Sequence, residues 1–226
     1  MRSARCIDRV TQSVRNAPGS MADPLIPSGA QRVRQHAQRL DERFASEDLG
    51  AGHPDGGTER LLLVEHVRGS RRHGLSLPFA SMTDNCRAIQ NLVYTYAERI
   101  DRGDLAGVAE LFRHGRIQAG PGVVFEGSDR VRRMYDGATR LYADGTPRTR
   151  HVTTNVVVEV EHDAGTAAPR SYYTVFQQTD ELPLQAIIAG HYHDTFHRVE
   201  GEWCFDTREM FVDLTGDLSR HLLFEL

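Results

Sequence analysis

The chain contains no lysine: all 27 of its basic residues are arginine. Cysteine is scarce as well. Cys6, Cys86 and Cys204 form no CxxC pair and no zinc-like spacing, and an odd, sparse set suits thiols in a reducing cytoplasm. No apolar run approaches the ~20 residues of a membrane span. The first residues hold arginine but no apolar stretch, so the pattern of a secretory signal is missing. Arg71-Arg72 ahead of Leu75-Ser-Leu-Pro-Phe-Ala80 has the order of a twin-arginine signal, but far from the start and with a short apolar stretch. Net charge is -4 with a pI of about 6.3, so no global basic field draws the chain to nucleic acid. No P-loop, dinucleotide fingerprint or nucleophile elbow is found, and no cofactor is expected.

What is present divides into two unequal parts. The 226 residues are 39% hydrophobic, enough for one domain with a sizeable core. Residues 1–80 hold 12 arginines against 9 acids, with scattered glycine and proline and little sustained periodicity. A segment over 31–44 has helical amphipathicity and 61–67 is a lone apolar run, but neither offers a second face to pack against. Low hydrophobicity with mixed charge predicts a mostly disordered extension there. The remainder holds 15 arginines against 22 acids and reads as a compact domain, residues 81–226.

In that part Thr83-Asp84-Asn85 supplies helix N-cap candidates. Ile89, Leu92, Val93, Tyr96 and Ile100 follow at helical spacing. Asp104 can cap a second helix over 105–112, and a third is predicted over 129–142. The period then switches to two. Strands are predicted over 152–161, 171–178, 184–198 and 203–214, with hairpin turns at Asp163-Ala-Gly165 and Glu200-Gly201. Helices first and strands afterwards predict an α+β layer fold, with a curved antiparallel sheet on three helices around a cone-shaped pocket.

His151 and Asp101 are the candidate catalytic residues. Asp101 closes the first helical run of the compact part, where a carboxylate opposes the helix dipole and needs a compensating partner. His151 opens the strand Arg150-His-Val-Thr-Thr-Asn-Val-Val-Val-Glu-Val160. An imidazole held by a carboxylate makes a general base that works near neutral pH. Tyr96 shares the inner helix face and is a candidate substrate contact. His191, His193 and His197 alternate along one strand and share a face. A metal would need all three to converge on one ion, and no metal site is expected.

Three stretches resemble the SnoaL-like group of the nuclear transport factor 2-like superfamily. They are Ala88-Ile-Gln-Asn-Leu-Val-Tyr-Thr-Tyr-Ala-Glu-Arg-Ile-Asp-Arg-Gly-Asp104, Arg150-His-Val-Thr-Thr-Asn-Val156 and Gly190-His-Tyr-His-Asp-Thr-Phe-His-Arg-Val-Glu-Gly-Glu-Trp203. The resemblance covers about residues 82–226 and implies a cone-shaped α+β barrel. At motif level it is similar to hexachlorocyclohexane dehydrochlorinase and to scytalone dehydratase-type enzymes. It implies that Asp101 and His151 act as a dyad and that Arg208 lines the pocket. It further implies that Ile188, Gly190, Tyr192 and Asp194 point into the cone. By the same alternation Tyr173, Val175, Met210 and Val212 do so too. The chain departs from the dehydrochlorinase at Tyr96, where that enzyme has a lysine, and a phenol there is closer to the dehydratases.

The function these residues imply is a cofactor-independent lyase or isomerase, dehydratase-like, acting on a small hydrophobic carbonyl or hydroxy compound. The alternative is a small-molecule-binding domain or accessory subunit without chemistry. A homodimer through the outer sheet face is expected. So is dispensability of residues 1 to about 78, with few contacts to the cone and a native start at Met82.

Overall fold

A computed structural model describes residues 4–5, 29–50 and 82–224. The apolar run 61–67, the arginine pair 71–72 and the native-start question lie outside the described residues.

The chain order is β1 (Ala4–Arg5), α1 (Gly29–Gly50), α2 (Met82–Asp101), α3 (Leu105–Glu110), β2 (Arg116–Gly120), β3 (Val123–Glu126) and α4 (Gly127–Ala138). Then follow β4 (Thr149–Val157), β5 (Glu159–Glu161), β6 (Thr166–Ala167), β7 (Arg170–Gln177), β8 (Gln185–Val199) and β9 (Glu202–Thr215). The strands make one mixed sheet in the order β1-β5-β6-β8-β9-β2-β3, with β7 between β4 and the first half of β8. All pairs are antiparallel except β2 with β9. The hairpin from β8 to β9 turns at Glu200 and Gly201, with φ of 52° and 92°. Two positive φ values in a two-residue loop match the right-handed twist of the strands.

The predicted α+β cone is the fold observed. Ile89, Val93, Tyr96 and Ile100 of α2 are buried against the concave face of the sheet, as their spacing requires. Asp104 caps α3 by accepting the Gly107 N–H at 2.8 Å. Asn85 is not a free-standing cap. It lies inside the first turn of α2, buried, and its Oδ1 accepts from Trp203 Nε1 at 3.2 Å and Arg198 Nη2 at 2.7 Å. It ties the start of α2 to the β8–β9 hairpin.

The predicted strand 152–161 is two strands. Asn155 takes a left-handed φ of 52° and the pairing of β4 with β7 slips between Thr154 and Val157. The slip changes which parity faces inward. Thr149 is buried and shares its face with His151 and Thr153, whereas further on Val158 and Val160 are the buried residues.

The expectation that the N-terminal part barely touches the cone is overturned by α1. Leu40 and Phe44 are buried in the same core as α2 and the sheet, with Val33 and Ala37 packed beside them. Phe44 meets Phe125 edge-on, with ring centroids 6.4 Å apart, and lies under the Arg133 guanidinium at 5.0 Å. Leu40 sits against Gly137 of α4. The amphipathic period over 31–44 was therefore a packing signal. Its partner surface, α4 with β2, β3 and β9, is assembled only in three dimensions.

Candidate active site

The end of α2 is held against the segment before β4 by a backbone approach that only glycine permits. Gly103 has φ of 73°, and a Cβ there would lie 1.9 Å from the Gly145 carbonyl oxygen. This docking delivers Asp101 to the first residues of β4. Its carboxylate accepts from Thr149 Oγ1 at 2.9 Å, from the His151 backbone N–H at 2.9 Å, and pairs with His151 Nδ1 at 2.6 Å. The partner that a helix-end carboxylate needs is thus the next strand. Burial alone would raise the Asp101 carboxyl. The His151 ring, its backbone N–H and the Thr149 hydroxyl together hold it below the usual carboxylate value.

An ionised carboxylate only accepts, so Nδ1 of His151 carries the proton and Nε2 is the basic nitrogen. By register His151 stands opposite Val175, Thr153 opposite Tyr173, and Val175 opposite Ile188, all on the inner face. An open cleft of about 610 Å³ between α2 and β4 also reaches the pair, lined by Tyr94, Ala97, Glu98, Arg150 and Thr153.

Deeper in the cone stands a cluster around Arg208. Its side chain is fully buried, and Nε and Nη2 donate to the two oxygens of Asp194 at 2.9 and 2.7 Å. The guanidinium lies over Tyr96 at 4.0 Å and Tyr192 at 4.1 Å. Burial works against its charge, and Asp194 more than offsets that, so it is firmly protonated. A planar, weakly hydrated cation with a bidentate carboxylate suits such a place as an ammonium would not. A bulge makes this possible. Thr195 pairs with Thr207 while Phe196 pairs with Phe205, so Asp206 is the extra residue and both Phe205 and Arg208 face inward.

The Tyr96 hydroxyl meets the Tyr135 hydroxyl in a short contact and lies 3.9 Å from Met210 Sδ. Tyr173 stacks on Tyr192 at 4.4 Å, and its hydroxyl donates to the Phe211 carbonyl at 3.0 Å. Gly190 makes room for it, since a Cβ there would lie 2.7 Å from that hydroxyl. Burial raises the phenols of Tyr135, Tyr173 and Tyr192, so all three remain neutral donors.

Each candidate residue can now be placed. Asp101 and His151 meet. Tyr96, Tyr173, Val175, Tyr192 and Arg208 share the interior, and Ile188 and Met210 are partly buried against it. Val212 is half-buried opposite Gly190, toward the rim. The interior is more filled than an open pocket, because Tyr96, Tyr192 and Arg208 touch one another across it. The histidines of β8 lie on the other face. His191 pairs with Asp213 at 2.7 Å and stacks on Phe211, and His197 stands 3.7 Å from Asp206. Among the described residues no group of three His, Cys, Asp or Glu stands ready for a metal ion. No described helix is long and apolar enough to cross a membrane. Cys204 is a free thiol.

Sequence reasoning undervalued Tyr135. Tyr135 was legible only as a core position of a helix.

A cone of helices and one curved sheet, with a carboxylate-held histidine on its inner wall, defines a class of α+β domains. The chain belongs to the SnoaL-like domain family, whose model matches residues 82–209. No curated protein matches it. Among solved structures, a Mycobacterium tuberculosis protein of unknown function is 26% identical, over 57% of this chain and 76% of its own, with a TM-score of 0.48. A scytalone dehydratase-like protein of Novosphingobium aromaticivorans is 26% identical, over 60% and 91%, with a TM-score of 0.49. An NTF2-like protein with a cystatin-like fold from the same organism is 22% identical, over 65% and 96%, with a TM-score of 0.48.

Proposed function

We propose that the protein is a cofactor-independent lyase or isomerase acting on a small hydrophobic carbonyl or hydroxy compound. The observation that carries this reading is the 2.6 Å bond from His151 Nδ1 to Asp101 on the inner wall of the cone. His151 Nε2 takes a proton from a carbon next to a carbonyl. Asp101 holds the ring in the required tautomer and stabilises the imidazolium that forms. Negative charge then develops on the carbonyl oxygen. Arg208 Nη1 is the donor suited to it, being buried and without a hydrogen bond among the described residues. Tyr96, with its hydroxyl joined to that of Tyr135, is the second donor. The imidazolium returns the proton either to a departing hydroxyl, which leaves as water, or to another carbon. The first outcome is dehydration and the second isomerisation.

The test is deuterium uptake at the α-carbon of cyclic ketones and β-hydroxy ketones in D₂O, followed by NMR. Uptake above the buffer rate is expected, with losses of about 100-fold or more in His151→Gln and Asp101→Asn. Wild type at the buffer rate across the panel would refute the reading. One observation favours a second reading, a binding domain without chemistry. Tyr96, Tyr192 and Arg208 fill the interior, and that reading gives ligand binding with no uptake.

The outer sheet face supports a second proposal, a homodimer. A cleft of about 710 Å³ crosses it, lined in part by Asn155, Arg170, Tyr172, His191, His193 and Leu214. Tyr172, 57% exposed, and Leu214, 70% exposed, line this one cleft together, and contiguous exposed apolar surface marks interaction sites.

A further inference from the structure

Strand β8 carries a second carboxylate-held imidazole, on the face turned away from the cone. His191 and His193 stand two residues apart in the strand, so their side chains leave the same face. Their ring centroids are 5.2 Å apart. From the neighbouring β9, Asp213 Oδ2 meets His191 Nδ1 at 2.7 Å, and Phe211 stacks on the His191 ring at 4.5 Å with 4° between the planes. His191, His193 and Asp213 all line the cleft of about 710 Å³ on this face. Tyr192 and Asp194, the alternating neighbours in β8, are buried on the other side, so this group is separate from the Asp101–His151 pair.

A carboxylate partner accepts, which puts the proton of His191 on Nδ1 and leaves the lone pair on Nε2. Carboxylate, imidazole, ion is the order in which proteins hold a metal-binding histidine. The carboxylate fixes the tautomer and makes the ligating nitrogen more basic. Phe211 keeps the His191 ring from turning, whereas His193 is exposed and its ring is free to swing toward a shared ion. Two imidazoles bound to one tetrahedral ion through bonds of ~2.0–2.1 Å bring their ring centres to about 5 Å, the separation already present here. The charged neighbours suit a cation. Glu209 stands opposite His193 on β9 and accepts from Gln118 Nε2 at 3.4 Å, and Arg170 stands opposite it on β7, 3.7 Å from Glu159. Asp213 and Glu209 against Arg170 leave the pair in a net-negative setting.

We propose that His191 and His193 chelate a divalent transition-metal ion on the outer face of the sheet, through Nε2 of His191 and a ring nitrogen of His193. Imidazole nitrogens select copper(II), nickel(II) and zinc(II) over magnesium and calcium, and copper(II) is held most tightly. Among the described residues no third His, Cys, Asp or Glu converges with them, so water fills the remaining positions and the ion is exchangeable. The site does not rest on the lyase or isomerase reading. It lies on the face where the homodimer is proposed, and association there turns the open positions of the ion toward the second copy.

The test titrates full-length, untagged protein, stripped with EDTA, with CuCl₂ and NiCl₂ by calorimetry, with MgCl₂ as the control. Electron paramagnetic resonance is recorded on the copper(II) form. A saturable copper(II) site coupled to two imidazoles is expected, with weaker nickel(II) binding and none of magnesium. His191→Gln and His193→Gln should each weaken copper(II) binding by ~10-fold or more, and Asp213→Asn by ~10-fold through the orientation of His191. His197→Gln, on the same face of the strand, should leave it unchanged. No binding of copper(II) or nickel(II), coupling to a single imidazole, or an affinity that survives both His191→Gln and His193→Gln would overturn the site. The spectrum is read on the wild-type protein, so a variant that fails to fold does not remove the test. Light scattering of the metal-free protein reads the dimer separately, and a monomer there would strike the dimer and leave the site standing.

Discussion

Burial and His151 act on both His221 and Asp101. Their pH behaviour follows. Burial depresses His221 in the folded state from 6.5 to about 4, and His151 and Asp101 are the ionisable groups that face it. The unfolded chain therefore takes up this proton first. Stability is lost as pH falls from about 6.5, and the loss levels off below about 4. Asp101 is depressed as well, so its contribution is present above about 3.8 and disappears as pH drops through its folded value. Urea midpoints of wild type and His221→Phe between pH 4 and 7 will show this. The wild-type midpoint should fall on acidification, and the difference between the two proteins should shrink or reverse by pH 4. Parallel curves would show that His221 titrates normally.

Helix α1 makes the corresponding argument at the scale of an element. Its polar residues outnumber its apolar ones, and the apolar residues packed on the core recur at positions 33, 37, 40 and 44. That is a stripe one residue wide, enough to dock on a finished surface but not to form a core alone. Leu40→Ala and Phe44→Ala should each cost about 2–5 kcal/mol, the range for emptying a buried aliphatic or aromatic site. Thermal or urea unfolding will measure it, with Glu42→Ala on the same helix as a control within about 0.5 kcal/mol. Losses no larger than the control would mean that α1 is not docked in solution. Helices α2, α3 and α4 and strands β7, β8 and β9 were legible to within a few residues, because their periods are strong, whereas the two-residue strands β1 and β6 carry no period and were not. Strand β4 was a further exception: Asn155 reads as an ordinary strand residue until its left-handed φ is seen.

For the whole molecule, the two faces of one sheet divide the work. The concave face holds the polar cluster and is covered by helices. The other face carries His191, His193, Phe211 and Tyr172 with no described element over it. Association of two such faces predicts a dimer in light scattering at micromolar concentration. Tyr172→Glu combined with Leu214→Arg should shift it to monomer without unfolding, since both side chains are exposed. A wild-type monomer at that concentration would reject the dimer.

By itself the sequence determined the element types and the α+β order, and it singled out a helix-end carboxylate and a strand-start histidine whose meeting the resemblance implied. Each rests on local periodicity or on short motifs that survive without coordinates. Four features belonged to the tertiary structure alone. The bulge at Asp206 brings Arg208 to the same interior as Phe205. Asn85 acts as a tertiary anchor instead of a cap. Helix α1 docks on a surface its own sequence does not contain. The segment after β9 folds back on α4 and β7 with no pattern of its own. All four depend on which distant backbone lies within a few ångströms, and sequence periodicity carries no information about that distance.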